Sequence, residues 1–283
     1  HLLRKKIINL DSMIKVSPVA AAQKPCKLGL KVGDVVSVRS AILAMITKSA
    51  NDAAVALAEY LAGGSMPRFI ALMNREAKRL KMTSTVFKNP SGWKNQEQLT
   101  TARDMAKLSR ALMTECSNYY SFFSTKKFYF RKKWYGNHNK LLGIKDGIIV
   151  DGIKTGFLAV SGYNVAISAR YGKDKLIVVI LGEKSARQRD SHVTKLLKAG
   201  FIKLSKNKKH NGTKPIFHAS QPKNVCNTAV DHFIPEDAQH DAQRSSQASN
   251  EGRNEGRIAK SRLFEYIVEP QRSIGNSNME KQK

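Results

Sequence analysis

The run Val150-Asp151-Gly152-Ile153-Lys154-Thr155-Gly156-Phe157 sets the reading of this chain. An apolar lead-in is followed by a Lys-Thr pair and a glycine, and two further β-rich runs come after it, at 162–169 and 175–181. The pattern predicts a strand whose backbone a ligand can approach closely. An ammonium and a hydroxyl adjacent in sequence suit a carboxylate, and Gly156 removes the side chain that would block it. Taken alone, the triplet fits a solvated lysine before a turn glycine better, because three-residue motifs recur by chance.

A second short motif changes that balance. Ser49-Ala50-Asn51 falls at a change of rhythm between two helical segments, 41–45 and 53–61, and supplies a hydroxyl plus an amide that can donate and accept. Taken alone, it reads as helix punctuation. The two motifs stand in a fixed order, and the wording around them agrees: Ser49 to Ala58, Phe87 to Gly92, Thr100 to Asp104, Phe123 to Lys126 and Val150 to Gly156. On these residues the chain, from about Leu3 to about Leu204, resembles the serine D-alanyl-D-alanine carboxypeptidases, the low-molecular-weight penicillin-binding proteins. Their signatures are SxxK, SxN and KTG.

The resemblance implies an α+β, β-lactamase/transpeptidase-like fold, an antiparallel sheet with helices. It implies a hydrolase that trims the D-Ala-D-Ala end of peptidoglycan stem peptides through an acyl-enzyme, with β-lactams as substrate mimics, in a periplasmic or extracytoplasmic setting. Ser49 and Asn51 would be its catalytic residues here, and Lys154, Thr155 and Gly156 would bind the substrate carboxylate. No cofactor and no metal is implied.

The third signature poses a trap. Ser12-Met13-Ile14-Lys15 has the letters SxxK, and a Ser one helical turn from a Lys is how such enzymes place base beside nucleophile. It lies 37 residues before Ser49, closer than the family spacing, in wording that matches the connecting segment after the nucleophile helix. A linker would leave that Ser and Lys in water, with nothing to depress the lysine pKa. Ser12 is therefore read as a decoy. The acylating Ser and its Lys are expected to precede His1, so that the chain lacks its first strands and the start of the nucleophile helix, leaves a sheet edge unpaired and is inactive or nearly so.

Composition sets the outer bounds. A chain of 283 residues buries a substantial core, and its 49 Lys and Arg against 22 Asp and Glu give a net charge of +27. Residues 1–205 hold 36 of those cations and 13 of the acids, so the predicted domain is itself basic. That field attracts polyanions and weakens with salt, and an anionic envelope surface is one partner it suits. No RNP, KH, zinc-finger or homeodomain pattern accompanies it, which argues against specific reading of nucleic acid. Cys26, Cys116 and Cys226 form no CxxC and no metal spacing. No apolar run approaches the ~18 residues of a membrane span, and the opening lacks a signal-peptide core.

Taken in order, Leu2 to Leu10 has helical spacing, Ala20 to Val38 reads as loop and short strand, and a helix is expected from Ser40. Ser65 caps a helix from Met66 to Leu80, and Thr101 with Asp104 opens another through Met113. Tyr119, Tyr120, Phe122 and Phe123 read as core, and Phe128 to Tyr135 as an exposed hairpin arm with a basic spot at Arg131, Lys132 and Lys133. His138 has no triad context. Tyr171 to Asp174 joins the last two strands, and 187–204 returns to helix. The predicted domain is 1–205, with 206–283 a low-complexity, disordered basic tail. Three rival readings stay open. A class A-like β-lactamase would need SDN and a deacylating Glu, and Glu59, Glu76, Glu97 and Glu115 sit in no such setting. A non-catalytic remnant that binds the peptide and a basic nucleic-acid binder are the others.

Overall fold

A computed structural model of the protein describes residues 2–209. Its centre is a four-stranded antiparallel sheet in the order β5-β6-β7-β8, where β5 is Gly143–Lys145, β6 Ile148–Leu158, β7 Gly162–Tyr171 and β8 Asp174–Glu183. The runs Val165 to Ala169 and Leu176 to Ile180 are buried at every position rather than at alternate ones. Both sheet faces are covered, and that removes the usual polar alternation.

On one face Val165, Ile167, Leu176, Val178 and Ile180 pack with Val193, Leu197 and Phe201 of a long C-terminal helix, Ala186–Lys209. On the other, Ala166, Ile177 and Val179 pack with Ala102, Ala106 and Met113 of the helix Ala102–Glu115. The link from β6 to β7 turns at Gly162, with φ of +74°, where an added Cβ would lie 2.7 Å from the Glu183 carbonyl oxygen. Only glycine lets that turn close against the end of β8.

A second core lies beside the sheet. It joins β1 (Met13–Lys15), the short helix α1 (Pro18–Ala21) and β2 (Val35–Ser37) to the helices α2 (Val38–Lys48) and α3 (Asn51–Leu61). Ala41, Ala44, Ala53 and Ala56 are buried there, and side chains this small let the two helices approach closely. The hairpin β3 (Lys127–Phe130) and β4 (Lys133–Gly136) lays Phe128 into this core, with Phe130 and Tyr135 half-buried against it. The helix α4 (Met66–Arg79) is capped by Ser65, and the helix Ala102–Glu115, α5, by Thr101, each hydroxyl accepting a backbone N–H three residues on. Short turns Ser117–Tyr120 (α6) and Ser121–Ser124 bring Tyr120 and Phe123 onto the α5 face of the sheet. The C-terminal helix is α7.

The α+β expectation holds, and so do the hairpin arm and the Tyr171 to Asp174 turn. Four local readings change. Leu2 to Leu10 is a series of turns, with Lys6 at φ 56°, because Leu3, Ile8 and Leu10 meet the second core without a helix. The helix α2 starts at Val38, capped by Ser37, rather than at Ser40. Pro18–Ala21 is a helical turn with Ser17 as cap, where loop was expected. The helix α7 runs on to Lys209, past the helical rhythm expected to end at Leu204. The tail reading from 210 onward lies outside the described residues.

Candidate active site

Strand β6 is shaped before it reaches the Lys-Thr-Gly triplet. The pairing with β7 shifts register between Val150 and Gly152, which sets Asp151 aside as an extra residue. Ser168 of β7 donates to the Asp151 carboxylate at 2.5 Å, and the Tyr120 hydroxyl donates to Ser168 at 2.5 Å. Burial holds the Tyr120 phenol protonated far above its ordinary range. At Gly152 a Cβ would meet the Tyr120 hydroxyl at 3.0 Å, Ser168 Oγ at 3.1 Å and Phe123 at 3.2 Å. This chain of hydroxyls is a brace packed closely over Gly152, and any larger residue there would have to push it back by a few tenths of an ångström. The Gly152 carbonyl in turn accepts from the side-chain amide of Asn139.

Lys154 then reaches across to the second core. Its ammonium donates to the hydroxyl of Ser49, 105 residues earlier in the chain, and folds back on the Thr155 carbonyl at 2.9 Å. Thr155 is 6 % exposed and Gly156 is buried. Part of the Lys154 residue surface remains accessible, yet its amine is enclosed by protein. That burial brings its pKa down from 10.5 to about 7; a nearby Cys26 opposes the shift and Arg189 reinforces it.

Ser49 owes its place to an unusual backbone. It closes α2 in the left-handed conformation, φ 56° and ψ 40°, with its N–H bonded to the Ala44 carbonyl. Glycine is the ordinary residue at such a helix end, and a side chain there costs on the order of 1 kcal/mol or more. The chain reverses within Ala50 and enters α3 at Asn51. Asn51 is 2 % exposed; its side-chain amide donates to the Pro25 carbonyl at 3.0 Å and its backbone N–H to the Cys26 carbonyl at 2.7 Å. Next to it, Asp52 is fully buried and accepts from the backbone N–H groups of Leu28, Gly29 and Leu30 at 2.9, 2.9 and 3.0 Å. Asn51 and Asp52 together clamp the 25–30 loop onto the start of α3.

Ser49 and Lys154 are thus brought together, Thr155 takes part through the backbone carbonyl that the amine folds back on, and Asn51 tethers the chain next to Ser49. The residues not singled out from sequence are Asp52, Cys26, Arg189 and the Tyr120, Ser168 and Asp151 brace. Arg189 is 2 % exposed on α7, paired with Asp190 at 2.9 Å. Ser12 is engaged elsewhere: its hydroxyl donates to Asn9 Oδ1 at 3.2 Å. Ser12 precedes a strand, not a helix, so a lysine three residues on points to the opposite face, and Lys15 is exposed. Asn137 and Asn139 on either side of His138 bond to the Thr125 and Gly152 carbonyls, a framework role. Among the described residues no group of three or more His, Cys, Asp and Glu could hold a metal ion.

The model for the family described as D-alanyl-D-alanine carboxypeptidase matches residues 2–185. The chain belongs to that family. It is 42% identical over 205 residues to the D-alanyl-D-alanine carboxypeptidase DacC of Escherichia coli, an alignment covering 70% of this chain and 51% of the relative. The chain therefore spans about half the length of this curated relative. Penicillin binding protein 5 from Haemophilus influenzae superposes with a TM-score of 0.68 at 32% identity, covering 71% of this chain and 59% of that one. A Listeria monocytogenes penicillin-binding protein in its cefotaxime-bound form superposes with a TM-score of 0.62 at 29% identity, covering 71% and 81%.

Three of the four glutamates weighed for a β-lactamase are engaged in ion pairs, and the fourth, Glu59 on α3, has Oε2 buried with no hydrogen-bond partner among the described residues. Glu76 and Glu115 share Arg79 at 2.5 and 2.8 Å, and Glu97 pairs with Lys88. The low pKa of Lys154 has a consequence for any carboxylate that the site holds. An anion needs the ammonium form, so its affinity is full below about pH 7 and falls by up to about tenfold per pH unit above it, until the ligand's own charge holds the proton in place. Titrating the affinity from pH 5.5 to 9 reads this directly; a flat profile would separate Lys154 from the ligand. Stability moves the other way: the unfolded chain keeps this proton up to 10.5, so folding gains as pH climbs from about 7 to 10.5.

Proposed function

We propose that Lys154, Thr155 and Gly156 hold the terminal carboxylate of a peptidoglycan stem peptide ending in D-Ala-D-Ala, with Ser49 on the facing wall, as part of a serine-type carboxypeptidase site. The observation that supports this is the bond from the Lys154 ammonium to the Ser49 hydroxyl, which joins the sheet to the α2–α3 corner and brings one residue of each motif into contact. The extended peptide would lie along β6, its backbone pairing as a strand does and its acid meeting the cation. At a pKa of about 7 the Lys154 amine exchanges its proton near neutrality, so Ser49 can pass a proton between it and a leaving amine. β-Lactams, which carry a carboxylate beside a reactive amide, are expected in the same cleft. The working place of such a site is extracytoplasmic, where its substrate is.

Holding the acid is the role that the described residues support; Ser12, bonded to Asn9, supplies no nucleophile to this cleft. The test is calorimetric titration of the protein with an N-acyl-D-Ala-D-Ala peptide and with its C-terminal amide. The acid should bind and the amide should bind at least about tenfold more weakly, since a charge-assisted hydrogen bond is worth roughly 1.5–3 kcal/mol. Equal affinities would overturn the proposal, and a covalent fluorescent-penicillin adduct that vanishes in Ser12→Ala would overturn the assignment of Ser12 as a bystander.

A further inference from the structure

The hairpin of β3 and β4 has two faces with different fates. Phe128 and Tyr135 turn inward against the second core, while their strand neighbours Tyr129 and Trp134 stand outside, 54 % and 63 % exposed. These two are cross-strand partners, with ring centroids 5.0 Å apart and planes at 50°. Such a pair steadies a hairpin. It does not account for the charge around it: residues 126–133 hold five Lys and Arg and no acid.

The turn sharpens the point. Arg131 and Lys132 occupy left-handed backbone, φ 47° and 63°, in the two-residue position that Asn-Gly fills with least strain. Two long cations sit at the tip in spite of that local preference. Arg131 is paired with Asp34 at 2.8 Å, which fixes the base of the tip, and Lys132 and Lys133 are exposed.

We propose that this arm docks on an anionic lipid bilayer, with Tyr129 and Trp134 entering the interface and the cations meeting headgroup phosphates. Amphipathic rings ringed by Lys and Arg on a firmly seated support are what the boundary between headgroups and acyl chains accommodates. Two rings tilted at 50° to each other form no row of parallel platforms on which successive bases could stack, which sets a lipid surface ahead of single-stranded nucleic acid as the occupant. The arm also packs on α2, the helix that ends in Ser49, so docking would fix how the cleft faces relative to the bilayer.

The chain has two tryptophans, Trp93 and Trp134, so a Trp93→Phe protein reports on Trp134 alone. Adding phosphatidylcholine vesicles doped with phosphatidylglycerol should shift its emission to the blue, and lipids brominated on the acyl chain should quench it; pure phosphatidylcholine should do neither. Lys132→Gln with Lys133→Gln should weaken partitioning by roughly 30-fold, about fivefold per cation near an anionic surface. Co-sedimentation of the otherwise unaltered chain, with and without Tyr129→Ser and Trp134→Ser, gives a second reading that does not depend on Trp93→Phe, and should fall in the variant. Vesicle binding that leaves Trp134 unshifted and unquenched would overturn the proposal, as would a single-stranded oligonucleotide that shifts Trp134 more strongly than the anionic vesicles do.

Discussion

Lys154→Met should lower the affinity for a D-Ala-D-Ala acid by about 10- to 150-fold while the protein stays folded. The lower figure corresponds to losing a charge-assisted hydrogen bond worth roughly 1.5 kcal/mol and the upper to one worth about 3 kcal/mol. Methionine keeps the length and the apolar stem, so the cleft should retain its shape. It also removes an ammonium that the fold holds away from water, and replacing a buried charge by an apolar group of similar volume is often neutral or stabilising. The melting temperature should therefore hold or rise even as binding is lost. Lys154→Arg is not expected to rescue it, because a planar fork cannot place one donor on Ser49 and fold back on the Thr155 carbonyl as the amine does. Calorimetry of the acid and its amide, with thermal melts of each variant, checks both halves. Unchanged affinity for the acid in Lys154→Met would remove the lysine from the recognition of the ligand.

The largest loss of stability is expected from Asp52→Ala. One carboxylate, fully buried at the start of α3, accepts three successive backbone N–H groups of the 28–30 segment. Without it those donors face an apolar core that holds Leu28 and Leu30. Each stranded buried donor costs about 1–3 kcal/mol, partly relieved if the loop opens to water, so a total of roughly 3–5 kcal/mol is expected. That is a large share of the ~5–15 kcal/mol by which domains are stable. The loop includes Pro25 and Cys26, whose carbonyls hold Asn51, so the corner that places Ser49 should loosen as well. The urea midpoint should drop and amide exchange at Leu28, Gly29 and Leu30 should accelerate. Asp52→Asn, which keeps an acceptor, should fall between the parent and Asp52→Ala; an unfolding free energy for Asp52→Ala within about 1 kcal/mol of the parent would show that the clamp contributes little.

What could be read from sequence was whatever lies on continuous elements. The apolar runs of β7 and β8, the caps Ser65 and Thr101 and the β3–β4 arm are local patterns, and each formed where its pattern lies. Leu2 to Leu10 misled because an i, i+3, i+4 spacing can also arise from turns whose apolar residues meet a core, as Leu3, Ile8 and Leu10 do. The start of α2 was missed by two residues because Val38 and Arg39 extend an apolar-polar alternation that runs through β2 into the helix. In the candidate site, the Lys154 and Ser49 motifs were visible, but their meeting spans 105 residues and is a property of packing. Cys26 and Arg189 act on the charge of Lys154 from a loop and from α7, and no short pattern marks either. The signal for Asp52 is an acid set at the head of an alanine-rich run directly after Asn51.

The backbone of Ser49 sets a local strain against the bond that its side chain makes to the sheet. A glycine would relax that left-handed residue by about 1 kcal/mol or more, yet it would delete the hydroxyl that receives the Lys154 amine. The bond given up, a hydrogen bond to an ammonium worth roughly 1.5–3 kcal/mol, outweighs that relief, so Ser49→Gly should melt no higher than the parent protein. A search for stabilising glycines at left-handed positions of this scaffold should therefore pass over residue 49, where the side chain offsets the strain of its own backbone.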